Sequence, residues 1–231
     1  MKTYNHIFFD LDHTLWDFDK NSNETLRELI EKHQINRLYK IDPEAFLKTY
    51  RKVNKQLWTE YNQGSISKEE LRIIRFQRVL DKHRIENDEL AAQLDEEYIA
   101  SCPLKGNLIE GTVEVLDYLK PKYTLHIISN GFEETQFRKV KAANIDHYFD
   151  EIITSETYGI QKPDSRIFSK LIDKIGTKKQ ECLMIGDNLH TDMIGAQRSG
   201  IDQVFYNPLK TNHNLILTYQ ITKLIELKAI L

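Results

Sequence analysis

Asp10 and Asp12 stand one residue apart, directly after the apolar run Ile7-Phe8-Phe9. Two carboxyl groups so placed suit phosphoryl transfer through a covalent intermediate. One can attack phosphorus and form an aspartyl-phosphate, which splits a hard hydrolysis into two easier steps. The other can protonate the departing alkoxide and later take a proton from attacking water. Asp10 at the strand end is read as the nucleophile and Asp12 as the acid/base. Thr14 can hydrogen-bond a phosphate oxygen or hold the turn, and His13 is expected to point away.

Three further groups follow apolar runs or loops later in the chain. Ser129-Asn130-Gly131 comes after Leu125 to Ile128. Ser129 and the backbone amides around Asn130 and Gly131 would form an anion cradle at a strand-to-helix turn. Lys162-Pro163 lies in a loop ahead of a helix that Asp164 could cap, and a buried Lys162 would supply positive charge for Asp10 and the phosphate. Gly186-Asp187, with Asp192 close behind, follows Cys182-Leu183-Met184-Ile185. A phosphate dianion beside this many carboxylates needs a cation, and magnesium favours oxygen ligands. Asp10 and Asp187 are the natural side-chain ligands, with the carbonyl of Asp12 as a third oxygen. Asp192 would stand behind them, orienting a metal-bound water or the start of a helix. The histidines are scattered without ligand spacing, and neither a phosphate-loop lysine motif nor a serine nucleophile elbow is present. Zinc chemistry and serine hydrolysis are therefore not expected.

The elements that must position these groups are legible in the hydrophobic pattern. Residues 4–9 read as a buried strand. A helical period then runs for almost ninety residues without a strand. Its helices are capped by Ser22 or Asn23, by Asp42 with Pro43 behind it, by Ser67 with Glu70, and by Asn87. From Gly111 onward strands and helices alternate: helix 112–120, strand 124–128, helix 133–143, strand 151–154, helix 164–175, strand 182–185, helix 191–199, strand 203–206 and a C-terminal helix. That alternation implies βαβ units and a parallel sheet. The fold class expected is α/β, a three-layer core with a parallel sheet and an inserted four-helix cap domain. The core would comprise residues 1–16 and 104–231, and the cap 17–103. Ligands of such sheets bind at the carboxyl ends of the strands, so groups far apart in sequence can meet there.

Composition narrows the class. The 231 residues are 40% hydrophobic and 29% charged, an ordinary globular mix that can bury a sizeable core. With 32 basic and 35 acidic residues the net charge is −3, so no nucleic-acid polymer is expected as a partner. No apolar run approaches the roughly 20 residues that span a bilayer. Met1 to His6 runs straight into a strand without a signal-peptide core. Cys102 and Cys182 are too few for a disulfide framework and read as reduced packing residues. The expected location is the cytoplasm.

Asp10-x-Asp12-x-Thr14-Leu15, Ser129-Asn130-Gly131, Lys162-Pro163 and Gly186-Asp187-x-x-x-x-Asp192 together resemble the signature motifs of the haloacid dehalogenase superfamily, in the expected order. The resemblance implies a Rossmann-like core, Asp10 as nucleophile, Asp12 as acid/base, and Mg2+ at Asp10, Asp12 and Asp187. The true dehalogenases of that superfamily lack an aspartate at the position of Asp12, since halide leaves without a proton, so Asp12 favours a phosphatase. Thr14 to Phe18, Ser129 to Phe132 and Tyr158 to Asp164 are similar to a branch of 5′-nucleotidases acting on pyrimidine and noncanonical nucleoside monophosphates. Trp16, Phe18, Trp58 and Tyr61 could stack a base or simply pack the protein. The leading expectation is a magnesium-dependent phosphomonoester hydrolase whose partner is a small phosphorylated metabolite, a nucleoside 5′-monophosphate first. The alternatives are another small-molecule phosphatase, a phosphosugar mutase, or a non-catalytic phosphate-binding protein. A monomer or weak homodimer is expected.

Overall fold

β1 (His6–Phe9) is the strand on which the core is assembled, and its Ile7, Phe8 and Phe9 are fully buried. The computed structural model describes residues 4–231, so Met1–Thr3, the lead into this strand, lie outside the described residues. β2 (Thr124–Ser129), β3 (Phe149–Thr154), β4 (Cys182–Gly186), β5 (Asp202–Tyr206) and β6 (Tyr219–Ile221) complete one sheet. The order is β3-β2-β1-β4-β5-β6, and every pairing is parallel. Leu125, Ile127, Leu183 and Ile185 are as buried as Ile128 and Met184, so both faces of the central strands are covered. The chain steps from β1 outward to β3 and then returns to β4 on the other side of β1. That reversal opens a crevice at the carboxyl ends of β1 and β4, where such sheets bind ligands.

The chain divides into two compact units, Met1–Phe18 with Gly106–Leu231, and Asp19–Lys105. The helical unit is built from most of α1 (Phe18–Lys32), with α2 (Ile35–Leu38), α3 (Pro43–Asn62), α4 (Lys68–Lys82) and α5 (Asp88–Ser101). Asp42 caps α3 through the Ala45 amide at 3.1 Å, Ser67 and Glu70 form a reciprocal box on α4, and Asn87 caps α5 through the Leu90 amide at 2.9 Å. α1 starts ahead of its expected cap residues. Asp19 places a negative charge in its first turn, which favours the helix N-terminus, while Ser22 is buried mid-helix and accepts a hydrogen bond from the Tyr98 hydroxyl at 3.0 Å. Within this unit Arg75 is buried against Asp95, with Nε and Nη2 both donating to Asp95 Oδ1. The short α2 adds a fifth helix to the four expected, and it buries Ile35.

In the core unit α6 (Thr112–Leu119) and α7 (Glu133–Ala142) precede and follow β2. α8 (Ser155–Tyr158) is a single turn, α9 (Ser165–Ile175) is capped by Asp164, and α10 (Ile194–Ser199) follows a wide turn over Leu189–Met193. On one face Phe8, Ile128, Ile153, Phe168, Met184 and Met193 belong to a single apolar cluster.

The C-terminal region departs from expectation. In place of a helix, the chain after β5 makes a loop, adds β6 to the sheet edge and ends in a 3-10 turn over Leu224–Ala229. Asn207 causes the first part, because its side chain exchanges two hydrogen bonds with the backbone of Thr211 and closes a compact turn. The polar run after it offers no apolar helical face, whereas Ile221, Leu224 and Leu227 are buried. Cys102 and Cys182 are both buried thiols outside any disulfide. No helix among the described residues is long and apolar enough to cross a membrane.

His126 on β2 packs T-shaped against Phe8, ring centroids 5.6 Å apart, with its Nε2 3.1 Å from the Nδ1 of His6. Burial, and then the neighbouring His6, push its imidazole down to about 4. The unfolded chain takes up that proton near the ordinary histidine value of about 6.5. Between those values the unfolded state binds the extra proton, so stability is present above about 6.5 and is lost as pH falls toward 4. His126→Leu should flatten the acid limb of a stability–pH curve from urea unfolding by roughly 2 kcal/mol. An unchanged slope would remove His126 from that role.

Candidate active site

A single buried ammonium organises the carboxyl edge of the sheet. Lys162, in the loop after α8, is 1% exposed. Its Nζ donates to Asp10 Oδ1 at 2.6 Å and to the Ile128 carbonyl at 2.6 Å, and stands 2.7 Å from Asp192 Oδ1. Three N–H groups therefore meet three acceptors, drawn from the segment after β1, from β2 and from the turn after β4. The side chain of Asn130 holds this loop in place, with Nδ2 donating to the Lys162 carbonyl at 2.9 Å and Oδ1 accepting from the Lys162 amide at 2.8 Å. Asn130 thus acts on the lysine loop, and Lys162 on the carboxylates.

Asp10, Asp187 and Asp192 bring carboxylate oxygens within 4.8 Å of one another. The Asp10 amide donates to Ile185 at 2.9 Å, which keeps the ends of β1 and β4 in step. Thr14 is fully buried and donates to Asp187 Oδ1 at 3.3 Å. Asp192 is held at both oxygens, by Lys162 at Oδ1 and by the Asn188 amide at Oδ2, 3.1 Å away. Gly186 makes room for it, since a Cβ there would stand 2.3 Å from Asp192 Oδ2. Burial raises the Asp10 carboxyl to about 7 against the pull of Lys162, with Asp192 and Asp12 adding repulsion. Burial, and then Asp10 and Asp192, lift Asp187 well above the usual carboxylate range. An oxygen-only donor set with more negative than positive charge suits a hard divalent cation, which would hold these groups ionised.

The Asp12 side chain stands apart from that cluster. Its Oδ1 and Oδ2 lie 2.6 and 2.8 Å from Lys139 Nζ, and Oδ2 also accepts from Gln136 Nε2 at 2.9 Å. Burial works against its charge, but the Lys139 ammonium and these hydrogen bonds prevail and hold it below the ordinary aspartate value. Ser129 Oγ accepts from Gln136 Nε2 at 2.5 Å and from the Gly131 amide at 3.1 Å. Gly131 leaves space for the same side chain, since a Cβ there would lie 2.0 Å from Gln136 Nε2 and the amide would have to move. Gln136 and Lys139 were not anticipated from sequence. They sit three residues apart on α7, a spacing indistinguishable from a solvated helix face, and only their place after the Ser129 turn points to the site.

The aromatic residues divide. Trp16 is fully buried, edge to face with Phe18 and 4.6 Å below the Lys139 ammonium, so it packs and cannot stack a base. Phe18 is half-buried, and exposed His13 lies beside it with ring centroids 5.0 Å apart. In the helical unit Trp58 and Tyr61 meet edge to face at 5.5 Å.

Fold and site together define an α/β protein with an acidic, cation-suited centre at the switch point of its sheet. Residues 4–200 match the family model for haloacid dehalogenase-like hydrolases, and the chain belongs to that family. It is 34% identical over 208 residues to the pyrimidine 5′-nucleotidase PynA of Streptococcus pneumoniae, covering 89% of this chain and 84% of that protein. With the pyrimidine 5′-nucleotidase YjjG of Escherichia coli it shares 27% identity, covering 97% of this chain and 96% of that protein. The crystal structure of the HAD-hydrolase YfnB of Bacillus subtilis bound to magnesium superposes with a TM-score of 0.88 at 30% identity, over 99% of each chain.

Lys162→Met should leave Asp10 and Asp192 buried without their cation and cost about 3–5 kcal/mol in urea unfolding of the metal-free protein. Lys162→Arg should not restore it, since a planar fork cannot reach three acceptors set around an ammonium. A loss below about 1 kcal/mol would show that the ammonium does not hold the edge together.

Proposed function

We propose that this protein is a magnesium-dependent phosphatase acting through an aspartyl-phosphate, with pyrimidine nucleoside 5′-monophosphates as its preferred substrates. The observation that carries the reading is the meeting of Asp10, Asp187, Asp192 and Lys162 at one sheet edge, with Asp12 held on its own pair of donors beside them. A protein that merely binds phosphate has no need of both a nucleophile and a separate acid/base. The pyrimidine specificity of PynA and YjjG supports the substrate class.

In this reading an Asp10 oxygen forms a bond to phosphorus as the bond from phosphorus to the ribose oxygen breaks. Asp12, held ionised beside Lys139, would first take up a proton from solvent and then give it to that oxygen, and the nucleoside leaves. Water then attacks the phosphorus of the aspartyl-phosphate, Asp12 takes back a proton, and inorganic phosphate and Asp10 are released. Lys162 holds Asp10 in place throughout and offsets its charge. Asp10, Asp187 and the Asp12 carbonyl would hold magnesium, with Asp192 fixed behind them by Lys162, and the ion would offset the charge of the phosphate dianion. Ser129 and the Gly131 turn would face the phosphate oxygens. Among the aromatics Phe18 and His13 carry the exposed ring surface near Asp12.

Asp10→Ala should lower turnover at least about 1000-fold while the chain stays folded, and should abolish stoichiometric trapping with beryllium fluoride. Chelation should stop the wild type, magnesium should restore it, and Asp187→Asn should raise the magnesium concentration required. Full turnover by Asp10→Ala, or in excess chelator, would sink the mechanism.

A kinetic panel tests the substrate. Pyrimidine nucleoside monophosphates, deoxy forms included, should exceed hexose phosphates and phosphoglycolate in kcat/KM by about tenfold or more, because contacts to the base lower the barrier at phosphorus. Phe18→Ala should shrink that ratio. Faster hydrolysis of a hexose phosphate would discard the nucleotidase reading and leave a phosphatase or mutase of other specificity.

A further inference from the structure

Lys139 is an unusual lysine for a helix. It lies two turns into α7, is 5% exposed, and gives its ammonium to both oxygens of Asp12. The same ammonium stands over the ring of Trp16 at 4.6 Å and that of Phe18 at 5.7 Å, so its charge is shared between one carboxylate and two aromatic faces. Gln136, one turn earlier, is fully buried and divides its amide between Asp12 Oδ2 and Ser129 Oγ. Its Oε1 is buried with no hydrogen-bond partner. Turning the amide over would aim that oxygen at the Asp12 carboxylate, so the observed orientation is the one that keeps a donor there. Both of its hydrogen bonds are donated from Nε2, so this side chain serves Asp12 and Ser129 as a donor.

Asp12 needs such service. Its side chain is 23% exposed and sits in the turn after β1, while the groups that hold it belong to a different element. A carboxyl group on a turn can swing about two side-chain torsions, and acid/base catalysis falls steeply when the proton donor is misplaced by about an ångström. We propose that Lys139 and Gln136 are positioning residues for Asp12, fixing its carboxylate in one orientation relative to Asp10 and coupling it to the Ser129 turn. Both residues act through the Asp12 carboxylate that they hydrogen-bond. The proposal rests on the phosphatase reading above and adds to it two residues that act through Asp12.

The test separates positioning from a general loss of structure. Phosphoenzyme formation is followed in wild type, Lys139→Met, Lys139→Arg and Gln136→Leu, each also combined with Asp12→Asn. Two substrates are compared, a nucleoside monophosphate, whose leaving group needs a proton, and dinitrophenyl phosphate, whose leaving group does not. Lys139→Met should slow the nucleotide about 100-fold and the aryl phosphate only about threefold, with KM little changed. Gln136→Leu should show the same pattern at about tenfold, and Lys139→Arg should recover part of the loss. In the Asp12→Asn background Lys139→Met should cost little more, because residues acting through Asp12 have nothing left to position. Thermal unfolding checks that each variant is folded, and Gln136→Leu carries the test if Lys139→Met is not. Equal losses on the two substrates, or losses that add to that of Asp12→Asn, would overturn the proposal. A wild-type chain inert toward both substrates would instead remove the phosphatase reading, and the positioning role with it.

Discussion

The ammonium of Lys162 is the constraint on which the site depends. Two carboxylates, Asp10 and Asp192, are buried at the sheet edge, and a buried carboxylate is tolerated only when paired and hydrogen-bonded. Lys162 pairs both and spends its third donor on the Ile128 carbonyl, so no donor is left unmet. Its geometry joins three strands that are scattered in sequence. Asn130 then anchors the Lys162 backbone to the end of β2 with two reciprocal bonds. The lysine and its asparagine therefore form one device: the asparagine places the loop, and the loop delivers the charge.

Charge explains what this device leaves undone. Asp10, Asp12, Asp187 and Asp192 face two ammonium groups, Lys162 and Lys139, and these are not pooled. Lys139 is committed to Asp12, and Lys162 to Asp10 and Asp192. Asp187 receives only the Thr14 hydroxyl among the described side-chain bonds, and burial and its acidic neighbours Asp10 and Asp192 shift it toward its protonated form. The deficit of positive charge is thus localised beside Asp187 and Asp10, at the crevice between β1 and β4. That is where a hard cation would relieve the most repulsion.

The parts legible in sequence were those with local signals. Strand ends followed by Asp10, Ser129 and Asp187 could be read because a parallel strand is a short apolar run with an abrupt end. The caps at Asp42, Ser67 and Asn87 could be read because a capping side chain lies within three residues of the amide it satisfies. Where the determinant was remote, reading failed. Ser22, read as a cap, is instead buried inside α1 and bonded to the distant Tyr98, and the missing C-terminal helix depends on an edge of the sheet that β5 creates. Trp16 looked available for a ligand because an aromatic beside an active-site turn can face either way, and the ammonium above its ring comes from a helix more than a hundred residues later.

Gln136 and Lys139 expose the same limit in a sharper form. On α7 they occupy positions that a helical period assigns to a polar face, and polar faces are normally solvated. Here that face is turned toward the carboxyl edge, because the helix must begin at the Ser129-Asn130-Gly131 turn and run back along the sheet. Topology thus converts an ordinary surface pair into buried partners of Asp12. The consequence is a division of labour between two lysines of the same chemical type. Lys162, almost completely enclosed, fixes the residue proposed to attack phosphorus. Lys139, seated over the rings of Trp16 and Phe18, fixes the one proposed to move the proton. Because no donor is shared between the two pairs, the orientation of each aspartate can be set without disturbing the other, and a reaction that needs both carboxyls in different roles is served by holding them separately.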